Sequence, residues 1–304
     1  MFLNRRITLI LTVVCFTMVF TGCKSKFEKL RNSNNITMKY QEAVKLYEKG
    51  KYSKALVLFD DLAGKYRGRA EAEDLFYMIA QANYKLKDYT SARVHFKNFA
   101  STYQGSARAE EARFMSAYCY YLDSPRSSLD QDNTRKAIDD LQLFVNYYPE
   151  SEKAKEAGEL IQSLRDKLEK KAFDNAKLYF NMGLSDDYRA AVIALENVLK
   201  QYPDTKYAEE IEYLIVKSQY LFADNSRVNK QEERFNDAID FYNTFVDHYP
   251  SSKFKSELDD IKKSADKKIL TAMKTMTEIN KQIEERNKEL GLDEKLETTQ
   301  TTNN

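Results

Sequence analysis

Five times along this chain an alanine is followed by a bulky residue four places later and a tyrosine eleven places later. The sets are Ala55, Phe59 and Tyr66; Ala92, Phe96 and Tyr103; Ala137, Leu141 and Tyr148; Ala191, Leu195 and Tyr202; and Ala238, Tyr242 and Tyr249. Offsets of 4 and 11 both return to one face of an α-helix. The alanine allows a paired helix to approach closely, and the bulky residues fill the seam. Three of the five tyrosines precede proline, at Pro149, Pro203 and Pro250. Proline stops a helix because it lacks an N–H and clashes with the preceding turn. Ser151, Thr205 and Ser251 or Ser252 then supply N-caps for the following helix. The first two sets carry Gly68 and Gly105 near the same place, a different helix-stop signal.

Upstream of each alanine is a second helix, joined by short turns such as Gly50-Lys51-Tyr52 and Lys87-Asp88-Tyr89. Each unit is therefore helix, turn, helix, and Ala55 to Ala92 sets its length at 37 residues. Eight Gly and four Pro in 304 residues lie far below the roughly 7% and 5% of average chains, as an all-helical chain requires. Later units are longer. The excess falls at a polar insert from Asp123 to Asn133, a long helical stretch from Ser151 to Met182, and a second polar insert from Ala223 to Glu233. The pattern resembles the tetratricopeptide repeat. The resemblance implies an all-α superhelix of five helix-turn-helix repeats with a long C-terminal capping helix. The expected divisions are repeats one to three over 37–150, repeats four and five over 151–250, a terminal helix over 251–290 and a polar, disordered tail over 291–304. Each repeat of such a solenoid is stabilised by its neighbours, and its concave face is an extended binding surface.

The N-terminus reads as an address. Arg5 and Arg6 precede an apolar run from Ile7 to Phe20, followed by Thr21, Gly22 and Cys23. The run is too short for a comfortable membrane span, which needs about 20 residues, and matches a signal peptide over 1–22. Small residues directly before a cysteine resemble the lipobox of bacterial lipoproteins, although Phe20 stands where Leu is usual. That resemblance implies cleavage before Cys23 and a covalent lipid on its sulfur, with 23–36 as a lipidated linker. Lys24-Ser25-Lys26 carries no acidic sorting signal, which implies the periplasmic face of the outer membrane. Cys119 is then the one thiol left free, expected to be buried and inert within the run Phe114 to Leu122.

Nothing in the chain has the spacing of a catalytic or metal site. His95 and His248 are the only histidines, no Cys or His cluster has metal-ligand spacing, and there is no P-loop or nucleophile elbow. No cofactor is expected beyond the lipid on Cys23. The acid pairs Asp60-Asp61 and Glu110-Glu111 read as solvated helix faces. A net charge of +1 excludes the basic footprint of a nucleic-acid binder. One pattern invites a binding role. Tyr40, Tyr77 and Phe114 are spaced by 37, as are Tyr47, Tyr84 and Tyr121. Both sets lie on the first helices of repeats one to three, seven residues apart and so on one face. With Gln81 and Tyr118 they make a candidate peptide groove, with Glu48 and Lys85 as polar neighbours. Tyrosine offers apolar area and a hydroxyl at low entropic cost. Lining a groove and packing between repeats both remain open for these rings.

Two stretches carry a more specific likeness. The run Asp130-Gln131-Asp132-Asn133-Thr134-Arg135-Lys136-Ala137, continuing from Leu141 to Ser151, resembles the BamD family, tetratricopeptide lipoproteins of the β-barrel assembly machinery. So does Ala176 to Thr205, with Tyr179-Phe180, Tyr188, Ala190-Ala191 and Tyr202-Pro203-Asp204-Thr205. The missing prolines after Tyr66 and Tyr103, a longer turn at Gly183 to Tyr188 and an extended C-terminus depart from the pattern. The resemblance implies a non-enzymatic outer-membrane scaffold. Repeats one to three would receive the aromatic-ended C-terminal signal of unfolded outer-membrane proteins. The C-terminal half would hold the POTRA domains of the barrel-forming subunit, with accessory assembly lipoproteins as further partners. An adaptor of cell division or sugar uptake is the alternative. Adaptors of division usually begin with a coiled coil, and sugar-uptake lipoproteins are longer and rich in Trp, of which this chain has none.

Overall fold

A computed structural model describes residues 26–290. The signal peptide, Cys23 and the tail over 291–304 lie outside the described residues. Among the described residues there are twelve helices and no strand. They are α1 (Lys26–Arg31), α2 (Ile36–Glu48), α3 (Tyr52–Tyr66), α4 (Ala72–Lys85), α5 (Tyr89–Thr102), α6 (Ala109–Leu122), α7 (Asp132–Tyr147), α8 (Glu152–Met182), α9 (Ser185–Gln201), α10 (Ala208–Asp224), α11 (Val228–His248) and α12 (Lys255–Glu289). They form the expected five helix pairs and a long terminal helix. The chain divides into two units at Leu164 and Arg165, inside α8.

In the first unit, α2 to α7 pack each on the next. The repeating alanines Ala55, Ala92 and Ala137 are fully buried, as are Phe59, Phe96 and Leu141 four residues on. The segment expected as a plain linker is partly helical. Its α1 lays Phe27 and Leu30 against the core of repeat one. In the second unit, Phe173 and Ala176 of α8 pack with Ala191 and Leu195 of α9 and Ile211 of α10. Phe245 of α11 then packs with Leu258 of α12.

The turn between repeats has one construction. The N–H three residues beyond the repeat tyrosine bonds back to that tyrosine's carbonyl at 66, 103, 148, 202 and 249. Proline suits the second position of such a turn because its φ is already set. Repeat one instead places Arg67 at φ −54°, ψ 126° and Gly68 at φ +80°, a left-handed geometry that favours glycine. Ser106, Ser151 and Thr205 accept the N–H two residues on, from Arg108, Lys153 and Tyr207. Their hydroxyls donate to Glu73, Glu110 and Glu169 at 2.6, 2.5 and 2.6 Å. Ser252, not Ser251, makes the corresponding bond from Phe254 N–H. Each hydroxyl thus caps the entering helix and, in three repeats, ties it to the preceding first helix.

One expectation needs correction and two gain detail. The polar insert at 223–233 is mostly helical: α10 runs to Asp224 and α11 starts at Val228. Polar side chains close that turn, with Gln231 donating to the Asp224 carbonyl at 3.2 Å and Lys230 pairing with Glu233 at 2.8 Å. The turn before α9 is short, only Gly183 and Leu184, with the Asp187 carboxylate accepting the Leu184 N–H. Three of the four paired acids are exposed as expected, while Glu110 accepts from Ser151 and Asp61 binds Lys39. The insert at 123–133, by contrast, is a loop as far as Gln131, and it is locked. Gln131 is buried and donates to the carbonyls of Arg126 and Leu129, while its own oxygen accepts from the buried Thr134.

The Lys39 side chain is only 3% exposed, and Asp61 is its counter-ion. Lys39 and then Lys65 hold the Asp61 carboxyl below its ordinary range. A lowered folded value means stability that is present above the unfolded pKa of about 3.9 and lost as pH falls through the folded value. Asp61→Asn is expected to cost about 2 kcal/mol at neutral pH, less than a fully buried pair because Asp61 is 39% exposed. Urea unfolding at pH 7 and pH 3 checks this: the gap to the native chain should narrow at pH 3. An equal gap at both pH values would assign the loss to something other than the ion pair.

Candidate peptide-binding face

The first helices of the first unit, α2, α4 and α6, set most of the expected tyrosines in ring pairs, each within its own repeat. Their seven-residue spacing keeps each pair on one helix face, and the second helices supply the backing rings. Tyr40 stacks on Tyr66 at 5.1 Å. Tyr47 meets Tyr52 edge-on at 5.4 Å and leans on Phe59. Tyr77 stands edge-on to Phe96 and Phe99 at 6.2 and 5.3 Å. Tyr84 lies 5.9 Å from Tyr89, and Tyr118 stacks on Tyr121 at 5.7 Å. All seven of these residues, counting Gln81, are partly exposed.

Phe114 is the exception. It is 2% exposed, stacked on Tyr118 and edge-on to Phe144. It belongs to the core of repeat three and lines no groove. It lacks the hydroxyl that keeps one end of Tyr40 and Tyr77 wet, so nothing opposes full burial.

The polar groups on this face are fixed. Gln81 donates to the Tyr77 hydroxyl at 3.0 Å. The Arg108 guanidinium sits 4.9 Å over the Tyr77 ring and binds Asp74 at 2.6 Å. Burial raises the Tyr47 phenol, and the Arg108 charge opposes that rise. Burial, followed by the Glu111 carboxylate, pushes the Tyr77 phenol up to about 12. Burial also raises Tyr84, with Tyr118 and Tyr89 beside it, and Tyr118, with Tyr121 and Glu156 beside it. These phenols are therefore neutral at physiological pH and can both donate and accept. Arg108, Glu111 and Glu156 were not among the expected residues. No local pattern marks them, because their roles arise across repeats. Ser106 was legible, since it follows Tyr103 by three as Ser151 follows Tyr148.

A cleft of ≈ 610 Å³ lies elsewhere in this unit, between the second helices α3 and α5, with Phe76 of α4, His95, Arg67 and Tyr103 on its walls. His95 is thus at a cleft wall, and burial lowers its pKa. His248 contacts Glu212 at 3.0 Å. Cys119 is buried, and burial pushes its thiol up to about 12, so it stays protonated. Among the described residues no group of His, Cys, Asp and Glu has the arrangement of a metal site, and no helix is long and apolar enough to cross a membrane. The face offers partly exposed rings beside fixed polar groups. Its rings are already fixed by their neighbours, so little side-chain entropy is lost on binding.

Comparison with known proteins bears on the identity of this fold. No curated protein matches the chain. Among solved structures it is similar to the TPR2AB domain of yeast Sti1 in complex with pHSP90, at 12% identity over 76% of this chain and 98% of that one. The TM-score is 0.33, too low to bear on function. The family profile of YfiO, described as an outer membrane lipoprotein, matches residues 33–210 and 177–273. YfiO is the family domain of the BamD-like lipoproteins that the sequence resembles. Matched over most of its length, the chain belongs to the YfiO family of outer membrane lipoproteins.

Proposed function

We propose that this chain is a non-enzymatic, lipid-anchored scaffold of the outer-membrane β-barrel assembly complex. It is anchored through Cys23 on the periplasmic face. The tyrosine face of repeats one to three receives the C-terminal segment of unfolded outer-membrane proteins, and the C-terminal half holds the POTRA domains of the barrel-forming subunit. The family match over 33–273 carries this reading. The partly exposed rings and fixed polar groups suit an extended segment with an aromatic end. The experiment is an affinity pull-down of the tagged lipoprotein from gently solubilised outer membranes, read by mass spectrometry. Recovery of a POTRA-containing barrel protein in near-equal amount supports the reading. Division or sugar-uptake proteins in its place would replace it with the adaptor role.

The anchor has its own test. Cys23→Ala is expected to release the protein into the soluble periplasmic fraction. A variant that still pellets with membranes in high salt would contradict lipidation at this cysteine.

A further inference from the structure

The lysines of repeat one differ between the two ends of its helix pair. At one end, Lys39 of α2 and Lys65 of α3 share the Asp61 carboxylate. At the other, Lys45, Lys49, Lys51 and Lys54 crowd the turn from α2 into α3. All four are exposed, and none is ion-paired among the described residues. The neighbouring acids Glu42 and Glu48 bind none of them. Lys26 and Lys29 of α1 join this end. Phe27 and Leu30 hold α1 against the core of repeat one, and the Lys54 ammonium sits 5.8 Å over the Phe27 ring. Both α1 lysines are exposed and unpaired, while Arg31 is bound to Glu28.

Folding gives little reason for this cluster. The carboxyl end of α2 favours Lys45 and Lys49, but like charges four residues apart on a helix repel. Lys51 and Lys54 stand at the amino end of α3, where the helix dipole favours acids. That helix has no acidic residue in its first turn. By contrast, α4 opens with Glu73 and Asp74, and α6 with Glu110 and Glu111. Six ammoniums thus outnumber the nearby carboxylates, and their counter-charge must come from outside the chain.

The start of α1 indicates where that charge lies. Cys23 is three residues before Lys26, so even an extended chain separates them by only about 11 Å. A lipid on Cys23 therefore holds bilayer headgroups within reach of α1 and of the lysine turn beside it. Lysines gain from an anionic surface within a Debye length, about 8 Å at physiological salt. Membrane attachment by acyl chains is commonly reinforced by such a basic patch. We propose that α1 and the turn of repeat one form a basic footprint that rests on anionic phospholipid headgroups and seats repeat one on the membrane. This placement rests on the lipid anchor at Cys23 proposed above.

The test uses the mature chain from residue 23 carrying Cys23→Ala, which has no acyl chain, in co-sedimentation with vesicles. Binding is expected to mixed phosphatidylglycerol and phosphatidylcholine, and not to phosphatidylcholine alone. It should be lost in about 1 M salt, where the Debye length falls to about 3 Å. Lys49→Glu, Lys51→Glu and Lys54→Glu together should lower binding at least about tenfold. The same charge change on α12, by Lys267→Glu, Lys274→Glu and Lys288→Glu, should leave it nearly unchanged. The turn variant should melt no lower than its parent, because acids suit the amino end of α3. Absence of binding, equal binding to neutral vesicles, equal weakening by the two triple variants, or earlier melting of the turn variant would each overturn the proposal. Because the assay contains no acyl chain, its failure is separate from failure of the anchor, which the fractionation of Cys23→Ala in high salt tests.

Discussion

Phe96→Ala is expected to destabilise the protein by about 3–5 kcal/mol, with loss of cooperativity centred on repeats two and three. Phe96 is completely buried and shares a cluster with Ala80, Ala92, Phe99, Ala112 and Cys119, drawn from three successive helices. Truncation removes the transfer energy of the ring and leaves a cavity. Rigid neighbours on both sides limit how far the site can collapse. Because a repeat array is stabilised mainly through neighbour interfaces, the cost should fall on α4 to α6 before it reaches the second unit. Urea unfolding followed by circular dichroism, with hydrogen exchange to locate the change, measures this. A loss below about 1 kcal/mol would mean that this cluster does not hold the repeats together.

The second large effect is on binding. Tyr47→Ala combined with Tyr84→Ala is expected to weaken a C-terminal outer-membrane-protein peptide by about 100-fold, since aromatic anchors at interfaces commonly carry 1–2 kcal/mol or more each. Helicity should change little. Both rings are partly exposed, but each also touches a neighbour, Tyr52 and Phe59 for Tyr47 and Tyr89 for Tyr84. A modest stability loss is therefore expected, and the two readouts must be measured together. Tyr84→Phe keeps the ring and removes the hydroxyl, so it separates apolar contact from hydrogen bonding. Marked loss of helicity with unchanged peptide affinity in the double variant would assign both residues to packing alone.

The two sets of rings show where sequence reasoning reaches its limit. Tyr40, Tyr77 and Phe114 occupy equivalent positions, yet Phe114 is core while Tyr77 keeps its hydroxyl against Gln81 and near Glu111. Spacing assigns a residue to a helix face. It does not say how completely the neighbouring repeat covers that face. The segment 223–233 makes a related point. Its composition is polar apart from Ala223 and Val228, and the turn between its two helices is closed by Gln231 bonding to the Asp224 carbonyl and by a Lys230–Glu233 pair, contacts that no apolar periodicity announces.

The sequence by itself determined the helix pairs, because alanine, a bulky residue and tyrosine at offsets of 4 and 11 can share a face only in an α-helix. It also placed the helix ends, since proline and the serine or threonine after it act within a few residues. Tertiary structure alone decided which rings stay accessible, which carboxylates take up the cap hydroxyls of Ser106, Ser151 and Thr205, and that Arg108 stands over Tyr77 while paired with Asp74. Those outcomes join residues 33, 41 and 36 positions apart in the case of the caps. Backbone periodicity is a local property, whereas burial and pairing are set by whichever surface the fold brings opposite.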